Sequence, residues 1–397
     1  MRRFRPAASG LLALCLVLTA GVAGAVNLTP PHGRHVPPLR LPPPVDPATL
    51  VTTCDSAAAS PDDGQRTGPG VSTESLDANL ALAQCGDAVR LYPTTARFHY
   101  QLGRARQKLG DYTGALESYR RAAELGSPIG AFSAAVMLRD GNGVVRDDDA
   151  AARLLAACAD KGDPACLNAL GYQYQQGLGV GRDPARAAAL YRQAADGGLA
   201  SAAVNLGFLY RDGEGVARDY AEAARLFRLA ADKGDAVGSR NLALFYRDGL
   251  GVPKDEALAV TYFQQAADRG DEDALIKLAF AYISGSGVGR DAAKSFSYYQ
   301  QAAGRGSSDG MAGLAYAYAN GLGVAADGKM AAFWMLRALA AGNEYSFDQL
   351  ANHWNAWNLD MRVATQAMLR DRGLYGGELN GTLNRETLAA IRRLAGR

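Results

Sequence analysis

The motif Gly-x-Gly-Val occurs six times in this 397-residue chain, with first glycines Gly141, Gly177, Gly213, Gly249, Gly285 and Gly321. Every step is 36 residues. A fixed period of this kind marks a repeat array, in which one unit cannot bury its own apolar face and neighbours must stack. Further columns share the register: Asp147, Asp183, Asp219, Asp255, Asp291 and Asp327 follow the motif, and Tyr174, Tyr210, Tyr246, Tyr282 and Tyr318 precede it. A Leu column runs from Leu170 to Leu314, and a second glycine column from Gly126 to Gly342. One unit, 200–235, reads as two helices. Ala202, Leu206, Leu209 and Tyr210 form one apolar stripe at helical spacing, and Ala223, Leu226, Phe227, Ala230 and Ala231 form another. Gly213 and Gly215 stop the first helix, Asp219 caps the second, and Gly234 ends it. The expected fold class is therefore all-α: a superhelical solenoid of stacked two-helix repeats.

Residues 96–127 keep a related pattern. Leu102, Gly103, Ala115, Tyr119 and Ala122, with Gly110-Asp111-Tyr112 at the turn, are similar to a tetratricopeptide repeat. The run A-x-x-x-L-G-x-x-Y-x-x-G-x-G-V-x-x-D, carried in 200–235 by Ala202, Leu206, Gly207, Tyr210, Gly213, Gly215, Val216 and Asp219, resembles the Sel-one-like (Sel1-like) repeat, a relative of the tetratricopeptide repeat. It covers 128–343 in six copies. The first departs most, with Ala134-Ala135 for Leu-Gly and Leu138 for Tyr. The resemblance implies a scaffold or regulator that works through protein contacts.

The chain opens with three arginines by Arg5, an apolar run over 11–18 and Ala23-Gly24-Ala25. This is the pattern of a secretory signal peptide, so 1–25 is expected to be removed and the mature chain to start at Val26. A Pro-rich linker follows over 26–50, and His32 and His35 within it read as solvated residues, because no further metal ligands converge there. Loss of Arg2, Arg3 and Arg5 leaves 39 basic and 40 acidic side chains, a net charge of −1, which argues against nucleic acid as a partner. No later stretch reaches the roughly 20 apolar residues of a membrane helix.

Four cysteines remain: Cys54, Cys85, Cys158 and Cys166. Their even number in an exported chain suggests two disulfides, with three pairings open. Cys158 and Cys166 stand in columns otherwise held by Ala and Gly, and their spacing resembles that of the secreted cysteine-rich members of the repeat family. Cys158–Cys166 is thus the expected pair, which leaves Cys54–Cys85 within an N-terminal helical segment, 51–95.

After Gly342 the period is expected to fail. Residues 344–397 contain Gln366, Leu369, Gly373, Tyr375, Gly377, Asn380, Gly381 and Thr387 in an order that resembles the helical peptidoglycan-binding domain. Leu383-Asn384 departs from the usual Phe-Gly. Two readings stand open: wall binding, or a cap over the last apolar face of the array.

Catalytic patterns dissolve on inspection. Gly306-Ser307-Ser308-Asp309-Gly310 fits G-x-S-x-G but falls between two helices, where a nucleophile elbow needs a strand first. The Gly-x-Gly pairs lack the third glycine of a dinucleotide loop. The chain is expected to be no enzyme and to need neither cofactor nor metal. For binding, positions i, i+3 and i+7 of successive first helices share a face: Asn205, Phe208 and Asp212; Asn241, Leu244 and Asp248; Lys277, Phe280 and Ser284. The middle position is large and apolar in each copy, from Tyr172 to Tyr316. The ordinary reading packs this stripe against the next unit. The functional reading has it line a groove for a peptide or partner helix. The combined expectation is a periplasmic adaptor or regulator, with a peptidoglycan-binding factor that recruits wall-remodelling enzymes as the alternative.

Overall fold

A computed structural model describes residues 50–67 and 69–397. The expected signal peptide, and the Pro-rich linker up to residue 49 with His32 and His35, lie outside the described residues. Among the described residues every regular element is a helix. Two helices come first, α1 (Thr53–Ala58) and α2 (Ala78–Leu91). Seven two-helix units follow: α3 (Ala96–Lys108) with α4 (Tyr112–Glu124), α5 (Pro128–Asp140) with α6 (Asp148–Ala159), and α7 (Pro164–Gln176) with α8 (Pro184–Asp196). Then come α9 (Ala200–Asp212) with α10 (Tyr220–Asp232), α11 (Ala236–Asp248) with α12 (Glu256–Asp268), α13 (Glu272–Ser284) with α14 (Ala292–Gly304), and α15 (Ser308–Asn320) with α16 (Gly328–Ala340). The chain ends in α17 (Glu344–Ala351), a 3-10 turn at Trp354–Ala356, α18 (Leu359–Asp371) and α19 (Arg385–Leu394). From α1 to α17 each helix packs on the next, as an α-α solenoid requires.

The repeated residues have distinct jobs. Each aspartate of the 147-to-327 column caps the second helix of its unit; Asp219, for example, accepts from the Glu222 backbone N–H at 3.0 Å. The first glycine of each motif ends the first helix with a left-handed residue. The second glycine is required by the neighbouring unit. A Cβ on Gly215 would lie 2.3 Å from the backbone carbon of Pro184, the first residue of α8, and Gly179, Gly251, Gly287 and Gly323 meet the corresponding residue one unit back. The loop of each unit is thus seated on the start of the preceding second helix. Rings fill the interior: Tyr119, Tyr191 and Phe227 are buried, and each lies against a glycine of its own unit, Gly103, Gly171 or Gly207.

Small residues set the spacing between units. Ala230 packs on Gly238 so closely that a Cβ there would come within 2.5 Å of it. Cys158 and Cys166 occupy this same contact and are bonded, linking α6 to α7 with Cα atoms 5.8 Å apart. Cys54 and Cys85 are bonded as well, with Cα atoms 4.6 Å apart, joining α1 to α2.

The N-terminal segment is less helical than expected. α1 has six residues, and the described residues between it and α2 form turns, as Pro61, Gly64 and Pro69 favour. Two cations of α3, Arg104 buried and Lys108 exposed, hold these turns down. Arg104 donates to the carbonyls of Ala58 and Val71 at 2.8 and 2.7 Å, and Lys108 to those of Thr73, Glu74 and Leu76.

The period also runs further than expected. Asn343 caps α17 in the position where Ser307 caps α15, and Leu350 continues the Leu column, 1% exposed. The array therefore holds the first two turns of an eighth unit before the chain departs at Asn352. From there α18 lies on α16, and one apolar cluster joins Met335, Leu336 and Leu339 to Leu350, Trp354, Trp357 and Met361. No helix among the described residues is long and apolar enough to cross a membrane.

Candidate functional site

The stripe on the first helices is open rather than sealed between units. Tyr172, Phe280 and Tyr316 are 41%, 62% and 46% exposed, while Phe208 and Leu244 are half-buried. These five lie in one column, each a multiple of 36 residues from the others. Large apolar side chains left in water at one register position are what a docking face needs.

Polar residues frame the column. Asn205 donates to Asn168 Oδ1 of the preceding unit at 2.9 Å, so it bridges adjacent first helices. Asn241 is buried and donates to the Val237 carbonyl at 2.8 Å, which spends its amide within α11. Asp212 and Asp248 are exposed and paired with their chain neighbours Arg211 and Arg247 at 2.7 Å. Those guanidiniums hold both carboxyls below the usual carboxylate range. Arg211 also lies over the Phe208 ring at 4.8 Å, and Arg139 over Tyr172 at 5.8 Å. Lys277 is partly exposed beside Phe280 and near enough to Asp248 to lower its pKa further.

Two depressions interrupt this face, each about 680 Å³. The one nearer the N-terminus is polar, lined by Arg139, Asp140, Asn168, Tyr172 and Asn205. The other, between α13, α15 and α17, is apolar and aromatic, lined by Ile276, Phe280, Tyr299, Tyr316 and Tyr345. Sequence reasoning did not find the second. Tyr345 lies past the expected end of the period, and Tyr299 is a second-helix residue that the repeat pattern assigns to the core.

The signature residues of the C-terminal domain are mostly internal. Gln366 is fully buried: its Oε1 accepts from the Gly381 backbone N–H at 2.7 Å, and its Nε2 donates to the Thr382 carbonyl and Thr387 Oγ1. Tyr375 donates to the Glu378 carbonyl at 2.6 Å, while Leu369 and Thr387 are buried. Gly373 and Gly381 take left-handed conformations, and a Cβ on Gly377 would meet the Tyr375 hydroxyl at 2.6 Å. These seven residues hold the loop after Gly373 in shape. Asn380 is exposed on that loop, as Gly373 is at its start, and its Oδ1 accepts from the Thr382 N–H.

The G-x-S-x-G segment is a helix start. Ser307 caps α15 by accepting from the Gly310 backbone N–H at 3.2 Å, with a helix on either side. Asp163 lies beside the Cys158 and Cys166 sulfurs, but its carboxylate caps α7 and the sulfurs are bonded to each other.

The family model of the Sel1 repeat matches residues 96–127, 128–163, 164–199, 200–235, 236–271, 272–307 and 308–343. The chain belongs to the Sel1 repeat family. The match takes in 96–127, the unit that resembles a tetratricopeptide repeat in sequence, as the first of seven Sel1 repeats. Among solved structures, c5321, a protective antigen present in uropathogenic Escherichia coli strains and displaying an SLR fold, is similar at 26% identity and a TM-score of 0.58, over 80% of this chain and 72% of that one. A Sel1 repeat protein from Oxalobacter formigenes is similar at 28% identity and a TM-score of 0.52, over 60% of this chain and 96% of that one. No curated protein matches the chain. A Sel1 solenoid of this kind is a protein-interaction module in architecture.

Proposed function

We propose that this Sel1 repeat protein is an exported, non-enzymatic adaptor that captures a protein or peptide partner along the open face of its first helices, in the bacterial periplasm. The observation that carries this reading is the register of Tyr172, Phe280 and Tyr316, all large, all exposed and all at one repeat position. Export is supported by the leader-like pattern of 1–25 and by the two disulfides, which persist in oxidising compartments. The test is photo-cross-linking from positions 208, 244 and 280 in intact cells, beside position 225, an exposed second-helix site. We expect discrete adducts from the first three alone. Equal labelling from position 225, or none anywhere, defeats the proposal.

Tethering to the cell wall is a second reading, favoured by the exposed Asn380 on a loop that buried hydrogen bonds hold rigid. In that case the solenoid recruits wall-remodelling enzymes to peptidoglycan. Co-sedimentation of the intact protein with purified sacculi, reduced in an Asn380→Ala variant, is its expected signature. Without sedimentation, the C-terminal domain acts as a cap alone.

A further inference from the structure

The aromatic depression between α13, α15 and α17 differs from the rest of the face in how it is built. In three earlier units the interior ring rests on a glycine of its own unit: Tyr119 on Gly103, Tyr191 on Gly171 and Phe227 on Gly207. The equivalent of Gly207 in the unit of α13 and α14 is Ala279, as it is Ala243 in the unit before, where the ring of Phe263 is still buried. The Tyr299 ring turns instead toward the next unit, where Gly313 leaves room. A Cβ at 313 would lie 2.3 Å from the ring, and the matching positions of the five preceding units carry Ser133, Ala169, Asn205, Asn241 and Lys277. Tyr299 is thus half-buried at the floor of the depression, where Tyr119, Tyr191 and Phe227 are fully buried. Phe280, Tyr316 and Tyr345 stand around it as exposed walls.

The charge of this pocket has one sign. Asp309 lines it, with its Oδ1 accepting from Asn343 at 2.7 Å. Asp348 lies close enough to Tyr345 to act on its hydroxyl. No lysine or arginine is among the lining residues. Three phenols converge: burial first, then the neighbouring Tyr316 and Tyr345, holds the Tyr299 hydroxyl above its usual range, so it stays neutral at physiological pH. Aromatic faces bounded by carboxylates attract a cation and repel an anion.

We infer that this depression is a subsite for the lysine or arginine side chain of an apolar peptide lying along the first-helix face. The inference rests on the reading of that face as a docking surface and names the chemistry it selects. The cation sits among the rings of Tyr299, Tyr316 and Tyr345, toward Asp309, while Ile276, Ile283 and Leu322 take the flanking apolar residues.

The test is an NMR titration of the intact, tyrosine-ring-labelled protein with three capped peptides: acetyl-Leu-Lys-Leu-amide, the same peptide with norleucine for lysine, and the same with glutamate. We expect saturable shifts at Tyr299, Tyr316 and Tyr345 with the lysine peptide, at an affinity about tenfold above the norleucine peptide and higher still above the glutamate one. Tyr316→Leu and Tyr345→Leu, both at exposed positions, should each weaken the lysine peptide several-fold with unchanged circular dichroism. Gly313→Asn should close the floor and abolish the shifts. Equal affinity for lysine and norleucine peptides overturns the cation assignment while the docking face stands. Absence of saturable shifts with all three overturns the subsite, and the cross-linking pattern then decides the docking face separately.

Discussion

Asp55 shows how much one side chain can hold. It is fully buried, pairs with Arg97 at 3.0 Å, and accepts from Gln101 at 3.1 Å and from the backbone of Thr52 at 2.8 Å. Burial alone pushes its carboxyl up, but the bonds from Arg97, Thr52 and Gln101 together outweigh it and leave the pKa below the usual range. A depressed carboxyl stabilises the fold above its unfolded pKa of about 4, and that stability is lost as pH falls through the lower folded value. Asp55→Asn should therefore cost about 3 kcal/mol at neutral pH, because the buried ion pair between Asp55 and Arg97 is broken. The difference from the parent should shrink in acid below the carboxylate range, as urea titrations at several pH values would show. Asp63 works in the opposite sense. Burial raises its carboxyl, and one of its oxygens has no hydrogen-bond partner among the described residues, so it opposes folding as it ionises. Gln173 is a second exception to satisfied burial. It stands in the column of Leu209 and Met137, fully buried, with neither amide atom bonded. Gln173→Leu should raise stability by about 1–2 kcal/mol, read as a shift of the urea midpoint at unchanged slope.

At the scale of helices and their joints, the two disulfides close loops of different length, 8 and 31 residues apart in sequence. Loop-closure entropy assigns about 2.5 kcal/mol to Cys158–Cys166 and about 3.7 kcal/mol to Cys54–Cys85. Paired serine variants should lose stability in that order, and reductant should lower the parent's melting temperature but leave a four-serine variant unmoved. The elements themselves were legible in the sequence to the degree that one residue does one job. The Asp column at 147–327 and the helix-ending glycines each serve a single backbone need and recur without exception. The caps of the first helices were not legible. Ser127, Asp163, Asp235, Asp271, Ser307 and Asn343 share the task, and Leu199 makes no side-chain cap at all. The stripe from Tyr172 to Tyr316 had the right spacing for either core or groove, since periodicity places residues on a face without saying whether the next unit covers it. The aromatic depression was hidden for a further reason. It arises where Gly313 leaves room for the ring of Tyr299, a residue of the preceding unit. In the C-terminal domain the same ambiguity ran the other way: Gln366 and Thr387 read as a binding signature, and the structure spends them on the loop.

For the whole molecule the question is how an array of like parts stops. At every internal joint the glycine belongs to the incoming loop, as Gly215 does against Pro184. At the last joint the incoming element is the start of α18, which brings Asp360 and Met361 with their side chains. The glycine has moved to the surface that receives them: a Cβ on Gly328 would lie 2.7 Å from the Met361 nitrogen. Its equivalent in an internal unit is Tyr220, and Gly328→Tyr should lift α18 from α16 at a cost of about 1–3 kcal/mol. Trp354 and Trp357 fluorescence should then report an earlier transition than the far-ultraviolet signal of the array. Arrays of this kind change length by duplication of whole units, and the two kinds of joint respond differently to such an event. A 36-residue copy inserted between two internal units arrives with its own glycine and finds an acceptor already shaped for it. A copy added between α16 and α18 meets Gly328, and passes on to α18 a second helix whose first residue has a side chain. Gene duplication can therefore lengthen this protein from within, while its terminal unit is held to a single version.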